Sequence, residues 1–213
     1  MVIAGARMKL LEMTGAPNPR RVRIFLAEKG VEVPLVQVDM RAGEHKTPAF
    51  LEKNPSGKIP VLELDDGTCI AESIAICRYF EALHPEPNLF GATPVEAACV
   101  EMVNRQLEFE LLASVGMAWR NGPIVAAMAA GRFEQIPAAK TQGEGGARAY
   151  YERLDGELAR QPFVAGERFT VADITGLVTV DFATNLVELK PDDGLSNLWR
   201  WHAEMSARPS AAA

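Results

Sequence analysis

The sequence predicts an α/β domain followed by an all-helical domain, and three observations carry that division. Short strand patterns alternate with helix patterns from Met8 to Leu83. The stretch His84-Pro-Glu-Pro-Asn-Leu-Phe-Gly91 then interrupts them with residues that end helices and make turns. After Pro94 the strand patterns largely vanish. The boundaries implied are residues 8–84 for the first domain, 85–93 for a linker and 94–209 for the second domain. A chain of 213 residues, 48% hydrophobic and 23% charged, can bury a core in each.

Lys9–Met13 reads as the first strand. In the turn-rich Thr14-Gly-Ala-Pro-Asn-Pro19 that follows, Asn18 can cap a helix and Pro19 suits its first turn, where a backbone donor has no partner anyway. Val22, Phe25 and Leu26 share a face of this helix, and Gly30 ends it. Leu35–Val38 is the second strand, and Pro34 before it favours an edge position because proline cannot donate to a ladder. A helix around His45–Lys53 comes next, then the turn Asn54-Pro-Ser-Gly57. Ile59–Leu64 and Thr68–Ala71, joined by Asp65-Asp-Gly67, read as an antiparallel hairpin. A helix from Glu72 to Leu83 carries Ile76, Tyr79, Phe80 and Leu83 on one face. The order β-α-β-α-β-β-α leaves a sheet that helices must cover.

In the second domain Val95–Ala118 supports a long helix, Gly145–Leu158 another, and Leu198–Met205 a last one stopped near Pro209. The Gly/Ala-rich stretch between Gly122 and Gly146 leaves its boundaries open. Phe169-Thr-Val-Ala-Asp-Ile174 is sharper: Thr170 can cap a helix, Asp173 can reach back from its third position, and Phe169 can pack on Ile174.

With 28 acidic and 22 basic residues the formal charge is −6, which favours solubility and offers little general attraction for nucleic acid or anionic membranes. No apolar run approaches the roughly 20 residues needed to span a bilayer. The segment before Met8 lacks the basic start and apolar core of a secretory signal and reads as an extension of the fold. The three cysteines, Cys69, Cys77 and Cys99, form neither a CxxC nor a metal-binding pair and fit a reducing compartment. A cytoplasmic protein without a metal is the expectation.

The block most informative about chemistry is Ser56-Gly-Lys-Ile-Pro-Val-Leu-Glu-Leu-Asp-Asp-Gly67 followed by Ile70-Ala-Glu-Ser-Ile-Ala75. A cis bond into Pro60 would expose neighbouring backbone N–H and C=O groups to the extended backbone of a small peptide. Base rates favour an ordinary trans bond. Glu72 can hold an ammonium group, while the Ser73 hydroxyl and the helix-end N–H groups can hold a carboxylate. Helix capping by Ser73 beside a solvated Glu72 explains the same residues.

Lys9-Leu-Leu, Asn18-Pro-Arg-Arg-Val-Arg-Ile-Phe-Leu-Ala-Glu-Lys-Gly30, Ser56-Gly-Lys-Ile-Pro-Val-Leu, Ala71-Glu-Ser-Ile-Ala and Phe169-Thr-Val-Ala-Asp-Ile together resemble the cytosolic glutathione transferases. Gly43-Glu-His-Lys-Thr-Pro-Ala-Phe-Leu51 and Leu62-Glu-Leu-Asp-Asp-Gly-Thr68 are similar to a fungal and bacterial branch of that family. The resemblance implies a thioredoxin-like first domain with Ile59–Pro60 in the cis form. The Ile59 backbone would meet the cysteinyl part of glutathione, Glu72 and Ser73 its γ-glutamyl head, and Lys46 and Lys58 its glycyl carboxylate. The helical domain would supply the pocket for a hydrophobic electrophile, with Met117, Trp119, Arg120 and Asn121 as candidates. A two-fold homodimer is implied as well.

The sequence departs from the family where glutathione is activated. The usual serine position falls on Ala16, which has no donor. Thr14 and Asn18 are the nearby candidates, each with a local turn or cap as the competing role. The branch it resembles also lacks the usual residue, and there helix-end N–H groups and water stabilise the thiolate. Here the N–H groups before Arg20 to Val22 would do so. The histidines some relatives carry in the helical domain are replaced by Trp119-Arg-Asn-Gly122. The function expected is conjugation of glutathione to hydrophobic electrophiles. The alternatives are glutathione-dependent peroxidase chemistry and a non-catalytic ligand-binding or interaction protein of the same fold.

Overall fold

The computed structural model describes residues 8–129, 131 and 133–213; the extension read before Met8 lies outside them. The chain divides into two compact units, one running to Leu89 and taking back Pro209–Ala213, the other comprising Phe90–Arg208.

In the first unit a four-stranded sheet has the order β2-β1-β3-β4. Strand β1 (Lys9–Glu12) runs parallel to β2 (Leu35–Gln37) and antiparallel to β3 (Val61–Glu63), which pairs in turn with β4 (Cys69–Ala71). Period-two alternation explains both faces. Leu10 and Leu62 are partners in the ladder and fully buried. Leu11 and Val61, the next pair, join Val38 and Phe50 in a separate cluster. Helices α1 (Pro17–Lys29) and α3 (Ser73–Leu83) pack together, with Val22, Phe25, Ile76 and Phe80 buried. Strand β2 takes the edge position that Pro34 predicts.

Three local expectations change. Helix α1 has Ala16, not Asn18, as its N-cap, because Pro17 already occupies the first helical position. The helix expected around His45–Lys53 divides into a 3₁₀ turn, Glu44–Lys46, and α2 (Pro48–Lys53). Pro48 cannot donate within a continuous helix, and the Thr47 hydroxyl restarts it by accepting from Phe50 N–H at 3.3 Å. Leu83 is 50% exposed, so the apolar face of α3 ends before it. Beyond Pro209 the chain returns to α1, where Arg20 Nη2 donates to the Ala211 carbonyl at 3.0 Å and Ser210 bonds Glu28.

The second unit is helical: α4 (Pro94–Gln106), α5 (Ala113–Arg120), α6 (Pro123–Ala129), α7 (Pro137–Leu158), α8 (Val171–Leu186) and α9 (Ser196–Ser206). The long helix predicted from Val95 is α4 and α5 joined through a π-helical segment, Leu107–Leu112. Helix α7 starts earlier than expected, at Pro137, and runs through the glycines that obscured it. Gly143 lies against α5: a Cβ there would sit 2.5 Å from the Ser114 carbonyl oxygen and 2.8 Å from the Ala118 nitrogen. Glycine is present for close helix contact, not as a breaker. The reciprocal cap at Thr170 and Asp173 forms as predicted, and Phe169 packs edge-to-face on Phe163 beneath the Arg208 guanidinium. Among the described residues no helix is long and apolar enough to cross a membrane.

Candidate functional site

Three segments distant in sequence line one cavity of about 80 Å³ in the first unit: the start of α1, the loop before β3 and the start of α3. Its lining residues are Asn18, Asn54, Lys58, Ile59, Pro60, Glu72 and Ser73.

The loop is shaped by Asn54. Its buried side chain accepts from the Ser56 N–H at 3.1 Å and the Ser56 hydroxyl at 2.9 Å, and donates to the Lys58 carbonyl at 2.7 Å. Gly57 has φ +59°, and a Cβ on it would lie 2.6 Å from Lys46 Nζ. The positive φ favours glycine, and the His45 carbonyl oxygen, 3.0 Å from the same Cβ position, leaves little room for a side chain. Lys46 Nζ donates to the Gly57 carbonyl at 3.4 Å, so Lys46 and Lys58 flank the same turn although only Lys58 lines the cavity. The Ile59–Pro60 bond is cis. Ile59 precedes the β3 ladder, which begins at Val61, and its N–H and C=O stay outside that pairing.

At the start of α3, Glu72 holds φ 66° and ψ 116°, a conformation that residues with a side chain rarely adopt. Its side chain makes no capping bond and is exposed. Ser73 follows as the first helical residue, 5% exposed, and its hydroxyl accepts from Arg21 Nη1 at 2.9 Å. Helix α3 therefore presents a hydroxyl and unpaired first-turn N–H groups beside a carboxylate. That suits an ammonium and a carboxylate held close together, as on an amino-acid head.

The start of α1 differs from expectation. Pro17 and Pro19 have no N–H, and Arg20 N–H donates to the Ala16 carbonyl at 3.2 Å. Of the first three helical positions only Asn18 carries a backbone donor. Asn18 is among the residues that line the cavity. Thr14 is elsewhere: it is exposed and outside the lining, with its N–H donating to Gln37 Oε1 at 2.9 Å. Its hydroxyl lies 3.2 Å from Gln37 Oε1 and 3.3 Å from Glu12 Oε1. Glu12 is fully buried and also pairs with Arg23 and Gln37. The three arginines of α1 are all engaged: Arg20 holds the C-terminal segment, Arg21 holds Ser73 and Arg23 holds Glu12.

The candidates in the second unit separate. Trp119 packs edge-to-face on Phe182, 5.4 Å between ring centroids, and lines a small cavity of about 20 Å³ with Ala118, Ile124 and Leu186. Asn121 closes α5, donating to the Met117 carbonyl at 2.9 Å and accepting from Ile136 N–H at 2.8 Å. Arg120 stacks over Phe133, and the Met117 Cβ faces Gly143. Asn54, which read only as a turn former, is a residue the sequence did not single out, and no local pattern reveals the burial of Arg21 against Ser73. Cys69 lies outside the cavity lining, and burial pushes its thiol above the usual range. Among the described residues no three His, Cys, Asp or Glu side chains gather as a metal site.

Residues 6–82 match the glutathione S-transferase N-terminal domain family and residues 123–209 match the corresponding C-terminal domain family. Glutathione S-transferase 2 of Saccharomyces cerevisiae is 39% identical over 212 residues, covering 96% of this chain and 88% of that protein. The crystal structure of Gtt2 from Saccharomyces cerevisiae superposes with a TM-score of 0.89 at 37% identity, covering 96% of this chain and 98% of that one. A glutathione S-transferase domain-containing protein of Marinobacter aquaeolei superposes with a TM-score of 0.87 at 40% identity, covering 95% and 98%. With the sheet order, the cavity at the cis proline and matches along both units, the chain belongs to the glutathione S-transferase family.

Proposed function

We propose that the protein binds glutathione in the cavity of its first unit and transfers the thiolate to hydrophobic electrophiles. The observation that carries this reading is the convergence of Ile59–Pro60, in the cis form, with Glu72 and Ser73 on one cavity. Ile59 offers backbone groups to the cysteinyl portion, Glu72 meets the ammonium and Ser73 the carboxylate of the γ-glutamyl head. Lys58, with Lys46 beside it, meets the glycyl carboxylate. The thiol proton leaves to solvent and sulfur forms a bond to the electrophilic carbon. In a substitution the leaving group departs with the bonding pair; in an addition the π bond of the electrophile breaks and its electron pair takes a proton from solvent. Holding both reactants together lowers the entropic part of the barrier.

Calorimetric titration with glutathione, followed by turnover of an activated aryl halide, tests the reading. Saturable binding that weakens in Ser73→Ala, together with turnover, supports it. A folded protein that takes up no glutathione overturns it. Binding without turnover of aryl halides, enones or hydroperoxides favours a ligand-binding protein instead.

A cytoplasmic two-fold homodimer is part of the same proposal. In support, Val95, Ala98, Cys99 and Met102 form an apolar row on α4, with Val95 74% and Met102 54% exposed. Light scattering that returns the monomer mass at micromolar concentration would exclude the dimer.

A further inference from the structure

Ser73 is not an isolated hydroxyl. Behind it lies Arg21, 1% exposed, whose Nη1 donates to Ser73 Oγ at 2.9 Å. The serine oxygen accepts that bond, so the hydroxyl proton is left to point away from the guanidinium. The direction open to it is the cavity that Ser73 lines with Glu72 and Ile59. A guanidinium cannot lose its proton at any pH the protein meets, and it never accepts a hydrogen bond. The polarity of this pair is therefore fixed: Ser73 is a donor toward the cavity. The same contact sets a permanent positive charge one residue behind the place where an anion would sit. It also joins α1, whose second residue Asn18 lines the cavity, to the first turn of α3.

We infer that Arg21 is a positioning residue for the carboxylate of the γ-glutamyl head. It orients the Ser73 hydroxyl toward that carboxylate and makes the site selective for ligands that carry it. The inference rests on the cavity being the glutathione site. Arg21 touches no ligand atom in this scheme, and its influence passes through one oxygen. Its removal must therefore affect recognition of the head carboxylate more than any other part of the ligand.

The experiment compares two probes, glutathione and its analogue with 4-aminobutyrate in place of the γ-glutamyl residue, which lacks only that carboxylate. Dissociation constants are measured for both with wild type, Arg21→Lys, Arg21→Gln and Ser73→Ala. Wild type should prefer glutathione by roughly tenfold or more, as expected for a charged hydrogen bond. Arg21→Gln and Ser73→Ala should lose most of that preference while binding the analogue with little change, and combining the two substitutions should add little further. Arg21→Lys, which keeps charge but not the fixed fork, should lie between. A buried arginine that only holds the fold would weaken both probes alike and leave their ratio intact; that result overturns the inference. If the Arg21 variants do not fold, Ser73→Ala decides alone, and an undiminished preference in it overturns the inference. Wild type that binds neither probe overturns the glutathione reading itself, whereas wild type that discriminates and variants that discriminate equally overturn only the role of Arg21.

Discussion

Asp173 and Trp201 are joined by a buried hydrogen bond, the indole Nε1–H donating to Asp173 Oδ1 at 3.0 Å. The same carboxylate accepts from Val164 N–H at 3.0 Å and Thr170 N–H at 2.9 Å. One side chain thus caps α8, holds the preceding loop and fixes α9. Asp173→Ala strands those donors in the interior, where an unmatched donor costs more than a lost contact. The variant should lose about 3 kcal/mol of stability. Equilibrium urea unfolding would measure it, and a loss under 1 kcal/mol would be incompatible with this network.

The same residue gives a pH dependence. Burial pushes the Asp173 carboxyl from 3.8 up to about 6, with the hydrogen bonds from Val164, Trp201 and Thr170 pulling the other way. The native state therefore binds this proton more tightly than the unfolded chain does. That contribution is complete below the unfolded value of 3.8 and is lost as pH rises through about 6. Its size is roughly 3 kcal/mol. The stability of wild type minus that of Asp173→Asn should fall between pH 4 and pH 7, because other groups cancel in the difference. A difference independent of pH would rule this out.

Gly143 and Gly145 share α7 but not a surroundings. A Cβ at Gly143 would collide with α5 backbone, whereas one at Gly145 meets nothing within 4 Å. Gly143→Ala should destabilise the protein by roughly 1–3 kcal/mol through overpacking. Gly145→Ala should stabilise it by about 0.5–1 kcal/mol through reduced backbone entropy in the unfolded chain. Thermal unfolding of the two variants should move in opposite directions; a shift of both the same way contradicts the packing.

Asn18 and Thr14 should part in activity. The Thr14 hydroxyl lies against Glu12 and Gln37, while Asn18 is among the residues that line the cavity. Under the proposed function, Asn18→Ala should lower kcat/KM by roughly tenfold and raise the pKa of bound glutathione, consistent with loss of one hydrogen bond to a developing thiolate. Thr14→Val should stay within about twofold of wild type, since it touches no cavity group. Ultraviolet titration of the bound thiolate with steady-state kinetics checks both. The reverse ranking would return Thr14 to the catalytic role.

What the sequence determined by itself was local. The strand segments Lys9–Met13 and Ile59–Leu64 were legible, and Gly30 and the Thr170–Asp173 cap marked helix ends, because each depends on residues within a turn or two. The motif around Ile59, Pro60, Glu72 and Ser73 was legible for the same reason: its parts are close in the chain. Tertiary structure decided the rest. The glycines between Gly122 and Gly146 left helix boundaries open until α5 lay against Gly143, and the arginine run from Arg20 to Arg23 could not show that Arg21 meets Ser73. Asn18 read as a cap and as a candidate beside the thiol; Ala16 takes the cap, and Asn18 lines the cavity. Burial and partnership across the sheet are set by which distant segments meet, and no pattern along the chain encodes the direction in which a single polar side chain finds its partner.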